Sequence, residues 1–100
     1  MRVDYKDNKL KKLCTDEREM QKQRPYLKKK LRLRVKALEN SDTLGDLPGD
    51  DPGGAWHDLK GQRGGTWAGE LSGNWRLLVA PSPNSLTATE ITVIDIEDYH

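Results

Sequence analysis

Phenylalanine is absent from this sequence, and cysteine occurs once. A lone Cys14 cannot form an internal disulfide, so no disulfide framework holds the fold, and there is no cysteine pair for a zinc site. A reducing, cytoplasmic setting is expected, with Cys14 as a small buried hydrophobe. No apolar stretch approaches the roughly 20 residues that span a bilayer. The opening MRVDYKDNK lacks the apolar segment of a secretory leader, so neither anchor nor leader is expected. Repeats and low-complexity tracts are missing as well. Without Phe, the core has to come from Leu, Val, Ile and three Trp. One hundred residues can bury one modest core, so a single domain over residues 1–100 is expected.

Several catalytic signatures are also missing. There is no HExxH and no nucleophile elbow for a Ser–His–Asp triad. GQRGG is not followed by the Gly-Lys-Ser/Thr of a phosphate-binding loop. Asp46, Asp50 and Asp51 cluster, but without the spacing of a calcium loop, so no metal and no cofactor is expected.

What is present begins with a charge asymmetry. Residues 1–40 hold fourteen Lys and Arg against six Asp and Glu, a net of +8; residues 41–100 hold three against ten, a net of −7. A solvated basic helix face explains this, and so does a surface for a polyanion or an acidic partner.

The hydrophobic pattern changes period along the chain. MRVDY alternates and predicts a short strand. DNKLKKLC predicts a short helix capped by Asp7; Asp16 with Glu19 marks the start of another. Pro25 interrupts and suits the first position of a new helix. Leu27, Leu31, Val35 and Leu38 then form one buried stripe, flanked by Lys28, Lys29, Lys30, Arg32 and Lys36. Residues 16–40 are thus two helices or one bent at Pro25. NSDTLGDLPGDDPGG reads as a loop, with Leu44 and Leu47 pinning a turn of it to the core. Period two follows: AWHDLKG, TWAGELSG, WRLLVAP and LTATEITVIDIEDYH predict strands joined by GQRGG, GN and SPNS turns. The expected fold is α+β, an N-terminal short strand and two to three helices on an antiparallel-rich sheet of four to five strands.

Polar groups capable of chemistry fall at strand ends and turns: His57, Lys60, Arg63, Arg76, Asp98, Tyr99 and His100. Gathered on one sheet face, they suit metal-free cleavage of RNA by its own 2′-hydroxyl. A base takes the 2′ proton, Arg63 and Arg76 clamp the phosphate, and an acid protonates the leaving oxygen. If His100 ends the natural chain, its terminal carboxylate favours the imidazolium, which suits it to be the acid. Each residue also has a plain reading. Arg76 can pair with Glu70 or Asp95, Asp98 can cap or salt-bridge, Tyr99 can close the core, and the Trp residues can be packing.

WHDLKGQRGGTWAGELSGNWRLLVAP with a terminal IEDYH resembles the HigB branch of the RelE-type toxins of bacterial type II toxin–antitoxin systems. The matching features are His-x-Leu-x-Gly-x-Arg, Asn-Trp-Arg-Leu and Asp-Tyr-His in that order, and YKDNKLKKLCTDEREMQK is also similar. The resemblance implies a RelE-like microbial ribonuclease fold. It implies a toxin that acts as a ribosome-dependent mRNA endonuclease, restrained by a helix-turn-helix antitoxin through which alone it meets operator DNA. By position, His57, Asp98, Tyr99 and His100 match the acid–base residues, Arg76 the phosphate-stabilising arginine, and Lys60 and Arg63 supporting cations. Lys28, Lys29, Lys30, Arg32 and Lys36 would then hold ribosomal RNA. Val79 and Ala80 stand where the family often has Phe. Two alternatives remain: a non-cleaving protein of this fold, acting as a gyrase inhibitor or a corepressor, and a small basic nucleic-acid-binding module.

Overall fold

Leu27, Leu31 and Leu38 are fully buried and Val35 nearly so, as the stripe predicts. All but Leu27 lie in the helix Lys28–Asn40 (α3) of the computed structural model, which describes residues 1–98. Three elements precede it: a strand Arg2–Tyr5 (β1), a helix Asn8–Thr15 (α1) and a helix Glu17–Gln23 (α2). Asp7 caps α1 by accepting from the Leu10 amide at 2.8 Å. Asp16 caps α2 by accepting from Arg18 and Glu19. Pro25 opens a turn between α2 and α3 rather than starting α3, so residues 16–40 are two helices.

The segment expected to be loop is largely helical. A 3-10 turn at Leu44–Asp46, a short helix Leu47–Asp50 (α4) and a second 3-10 turn at Pro52–Gly54 follow one another. Leu44 and Leu47 are buried and hold these turns on the core, as expected. Arg34 fixes the far side. It sits inside the basic run of α3 yet is 3% exposed. Its Nε donates to the Glu70 carbonyl at 2.7 Å and Nη2 to the Gly53 carbonyl at 2.7 Å. Nη1 pairs with Asp51 at 3.1 Å, and Asp51 also accepts from the Trp56 indole at 2.9 Å.

The remaining strands are His57–Asp58 (β2), Trp67–Glu70 (β3), Trp75–Ser82 (β4) and Glu90–Asp98 (β5). They form a five-stranded sheet in the order β1-β5-β4-β3-β2. Neighbours from β2 to β5 are antiparallel, while β1 pairs parallel with β5. The last strand starts later than its pattern predicts. Leu86 and Ala88 give their carbonyls to Gly45 and Leu44 instead of to a sheet ladder.

Leu77, Val79, Ile91, Val93 and Ile96 join the helices in one core. Trp56 lies over Gly69, where a Cβ would come within 2.6 Å of the indole ring. No helix among the described residues is long and apolar enough to cross a membrane.

Candidate active site

Side chains alternate between sheet faces, so the register decides which polar groups meet. Leu77 and Val79 point to the helices, so Arg76 and Leu78 point away. Across the strands, His57 pairs with Ala68, Ala68 with Leu78, and Leu78 with Asp95. The next row is Glu70, Arg76 and Glu97. His57, Arg76 and Glu97 therefore share the face away from the helices. Ala68 and Leu78 on that face are 0% and 2% exposed. The loop after β2 folds over it, since Arg63 reaches from that loop to Glu97.

Glu97 is the centre of this face. Arg63 grips it with two prongs, Nη1 to Oε1 at 2.9 Å and Nη2 to Oε2 at 2.6 Å. Arg76 Nη2 donates to the same Oε1 at 2.9 Å. The hydrogen bonds from Arg63, opposed by partial burial and reinforced by Arg76, hold the Glu97 carboxyl down to about 2. The same contact raises Arg63 above the ordinary arginine value. Two of the predicted cations thus do converge, on a carboxylate that was not among the candidates.

His57 is exposed, and its Nδ1 lies 2.9 Å from the Ala55 carbonyl. A carbonyl oxygen only accepts, so the Nδ1 side carries the proton and Nε2 of the neutral ring is left as an acceptor. Ala55 holds a left-handed backbone, φ 46°, to present that carbonyl. Such a conformation is costly for a residue with a side chain.

Asp98 is not with this group by register. It pairs with Trp75, which puts it on the helix-side face. The cause is a bulge in β5: Leu78 pairs with Asp95 but Val79 with Val93, leaving Ile94 extra. A regular ladder would have put Asp98 on the Arg76 face; the bulge puts Glu97 there. At that end of β4, Trp75 packs against Tyr26 with ring centres 6.0 Å apart, and the Arg24 guanidinium lies 5.3 Å from its ring centre. Lys60 lines a cleft elsewhere, with Asp58 and Trp67. Tyr99 and His100 lie outside the described residues.

On α3, Lys29, Lys30 and Lys36 are exposed, Lys28 donates to Gln21 at 3.4 Å, and Arg32 pairs with Glu17 at 3.2 Å. Lys28, Lys29 and Lys30 occupy the first turn, with no acid and no side-chain cap. Cations at the positive end of a helix cost stability and favour a nearby anion. Cys14 is 2% exposed, and burial pushes its thiol up to about 12, which removes it as a nucleophile at neutral pH. Among the described residues no group of acids, His and Cys is arranged to hold a metal ion.

No protein-family model matches the chain, and no curated protein is significantly similar to it.

Proposed function

We propose that this chain is an endoribonuclease that cuts messenger RNA without a metal, acting as the toxin of a type II toxin–antitoxin pair. The observation that carries this reading is the Arg63–Glu97–Arg76 cluster on the face shared with His57. Two guanidiniums already hold a forked anion there, and a phosphodiester is another forked anion of similar demand. By sheet geometry the Cα atoms of His57 and Arg76 are roughly 12 Å apart, two strands over and two residues along. An imidazole and an arginine side chain can close that span on one phosphate from opposite sides.

In this mechanism His57 Nε2 takes the proton of the 2′-hydroxyl. The 2′-oxygen bonds to phosphorus while the bond to the 5′-oxygen breaks. The arginines carry the added charge on the phosphoryl oxygens, and an acid returns a proton to the leaving oxygen. The products are a 2′,3′-cyclic phosphate and a 5′-hydroxyl. Tyr99 and His100 are the proposed source of that acid, on the strength of the resemblance alone. The wet lysines of α3 suit salt-sensitive contact with ribosomal RNA. The partners of this reading are a translating ribosome with its mRNA and a helix-turn-helix antitoxin, in the cytoplasm.

The placement of Asp98 on the Trp75 face favours a second reading, a non-cleaving protein of the same architecture. Primer extension on an mRNA during translation in vitro separates the two. Cuts that need ribosomes, and that vanish in Arg76→Ala and His100→Ala with the fold intact, support the nuclease. Intact mRNA beside the unmodified protein supports the second reading.

A further inference from the structure

A cleft of about 400 Å³ opens at the other end of the sheet from Asp98. Asp58, Lys60, Trp67, Asn84 and Ser85 line it together with Leu44 and Leu86. Asp58 pairs with Trp67 in register, so both side chains lie on the face opposite to His57. The walls are held by main-chain bonds. The Leu59 amide donates to the Thr66 carbonyl at 2.8 Å, and Gly45 donates to Leu86 at 2.8 Å. The turn at Gly65, φ 88°, abuts Asn84, whose amide nitrogen is 3.5 Å from where a Cβ would stand. The cleft is therefore formed before any ligand arrives.

Its chemistry is uneven. Asp58 Oδ1 is buried and has no hydrogen-bond partner. A buried acceptor left without a donor calls for an explanation in a folded protein. Asp58 is one of the residues that line the cleft, so a carboxylate stands in its wall. The indole of Trp67 is half-buried and supplies a flat wall, while Lys60 and Asn84 are exposed donors. Leu86 is 58% exposed, a large apolar group left on the surface.

A ligand that fits these groups is flat, brings paired N–H donors to a carboxylate, and brings an oxygen acceptor toward Lys60 or Asn84. Among nucleobases, guanine does this with N1–H, the 2-amino group and O6. Adenine would put its N1 acceptor against the carboxylate. Cytosine sets an acceptor beside its amine, and uracil flanks its one N–H with two carbonyls. We propose that this cleft is a guanine-selective base subsite. The proposal rests on the RNA reading above. His57 follows Trp56 and precedes Asp58 on β2, an edge strand of the sheet. A nucleotide with its base in the cleft would pass its phosphodiester around that edge to the His57 face.

The test is a heteronuclear NMR titration of the unmodified protein with GMP, IMP, AMP, CMP and inorganic phosphate. GMP should shift the Trp67 indole and Asn84 side-chain amide signals. It should bind at least about tenfold more tightly than IMP, which lacks the 2-amino group, and than AMP or CMP. Asp58→Asn, nearly isosteric, should abolish the preference while the other indole signals stay in place. Unmoved Trp67 and Asn84 signals, equal affinities for the four nucleotides, or the same shifts from phosphate alone would overturn the proposal. If the cleft stays silent while translated mRNA is still cut, the subsite fails and the nuclease stands. If GMP binds as described while mRNA stays intact, the subsite stands and the nuclease reading falls.

Discussion

Arg63 and Glu97 lie 34 residues apart in sequence and meet through two parallel hydrogen bonds, of 2.9 and 2.6 Å. This ion pair closes the loop after β2 over the open face of the sheet. It also fills the space between two guanidiniums with a carboxylate. Loop position, charge state and access to Arg76 therefore depend on one interaction.

Its charge state sets an acid limit. The Glu97 carboxyl is lowered from 4.5 to about 2 in the folded chain. A depressed pKa contributes stability that is fully present above the ordinary value of 4.5 and is lost as pH falls toward about 2. Arg63→Ala should move the Glu97 titration back toward 4.5, read by carbon NMR of the side-chain carboxyl. Glu97→Gln should flatten the acid limb of the unfolding curve over that window. An unmoved titration in Arg63→Ala would show that Arg63 is not the main cause.

On the RNA reading, Glu97 competes with phosphate for both arginines. Glu97→Gln should then bind single-stranded RNA several-fold more tightly. Its log affinity should fall more steeply with log salt, by about 0.7 for each additional phosphate neutralised. A weaker variant with an unchanged slope would make Glu97 a positioning group for the arginines instead of a rival of the substrate.

Arg34 is the buried charge on which the 47–56 segment depends. Arg34→Met removes the cation of Asp51 and the guanidinium donors to the Glu70 and Gly53 carbonyls. Removing one partner of a buried pair costs about 3–5 kcal/mol. Denaturant unfolding should show that loss, and Arg34→Lys should recover only part of it because an ammonium cannot reproduce the fork.

Gly69 is reserved for the Trp56 ring. In Gly69→Ala the new Cβ would stand within 2.6 Å of it, so the ring or β3 must move. Overpacking of this kind costs about 1–3 kcal/mol. The expected readout is a lower melting temperature together with a change in tryptophan fluorescence.

Much of the fold was legible because it rests on local pattern. The stripe from Leu27 to Leu38, the Asp7 and Asp16 caps, and the alternation of Trp67 and Gly69 against Ala68 and Glu70 all stand where the periods put them. The α+β class follows from them. What was hidden depends on long-range contacts. Nothing in the basic run of α3 sets Arg34 apart, and its burial comes from the Asp51 and Gly53 contacts that follow α4. Leu44 and Leu47 were legible as anchors of this segment, but its loop composition does not reveal that Arg34 joins them or that the turns become helical. That Arg63 and Arg76 come together was legible in residue type, but the carboxylate on which they meet was not. One extra residue at Ile94 exchanges Asp98 for Glu97 on the Arg76 face, and nothing in IDIEDYH announces a bulge.

The most direct test of the central claim is to map the RNA ends left by translating ribosomes in the presence of the protein. Cleavage is predicted to leave 2′,3′-cyclic phosphate and 5′-hydroxyl ends, and to fall by about a hundredfold or more in Arg76→Ala. Intact RNA, or 5′-phosphate ends beside 3′-hydroxyl ends, would contradict the account.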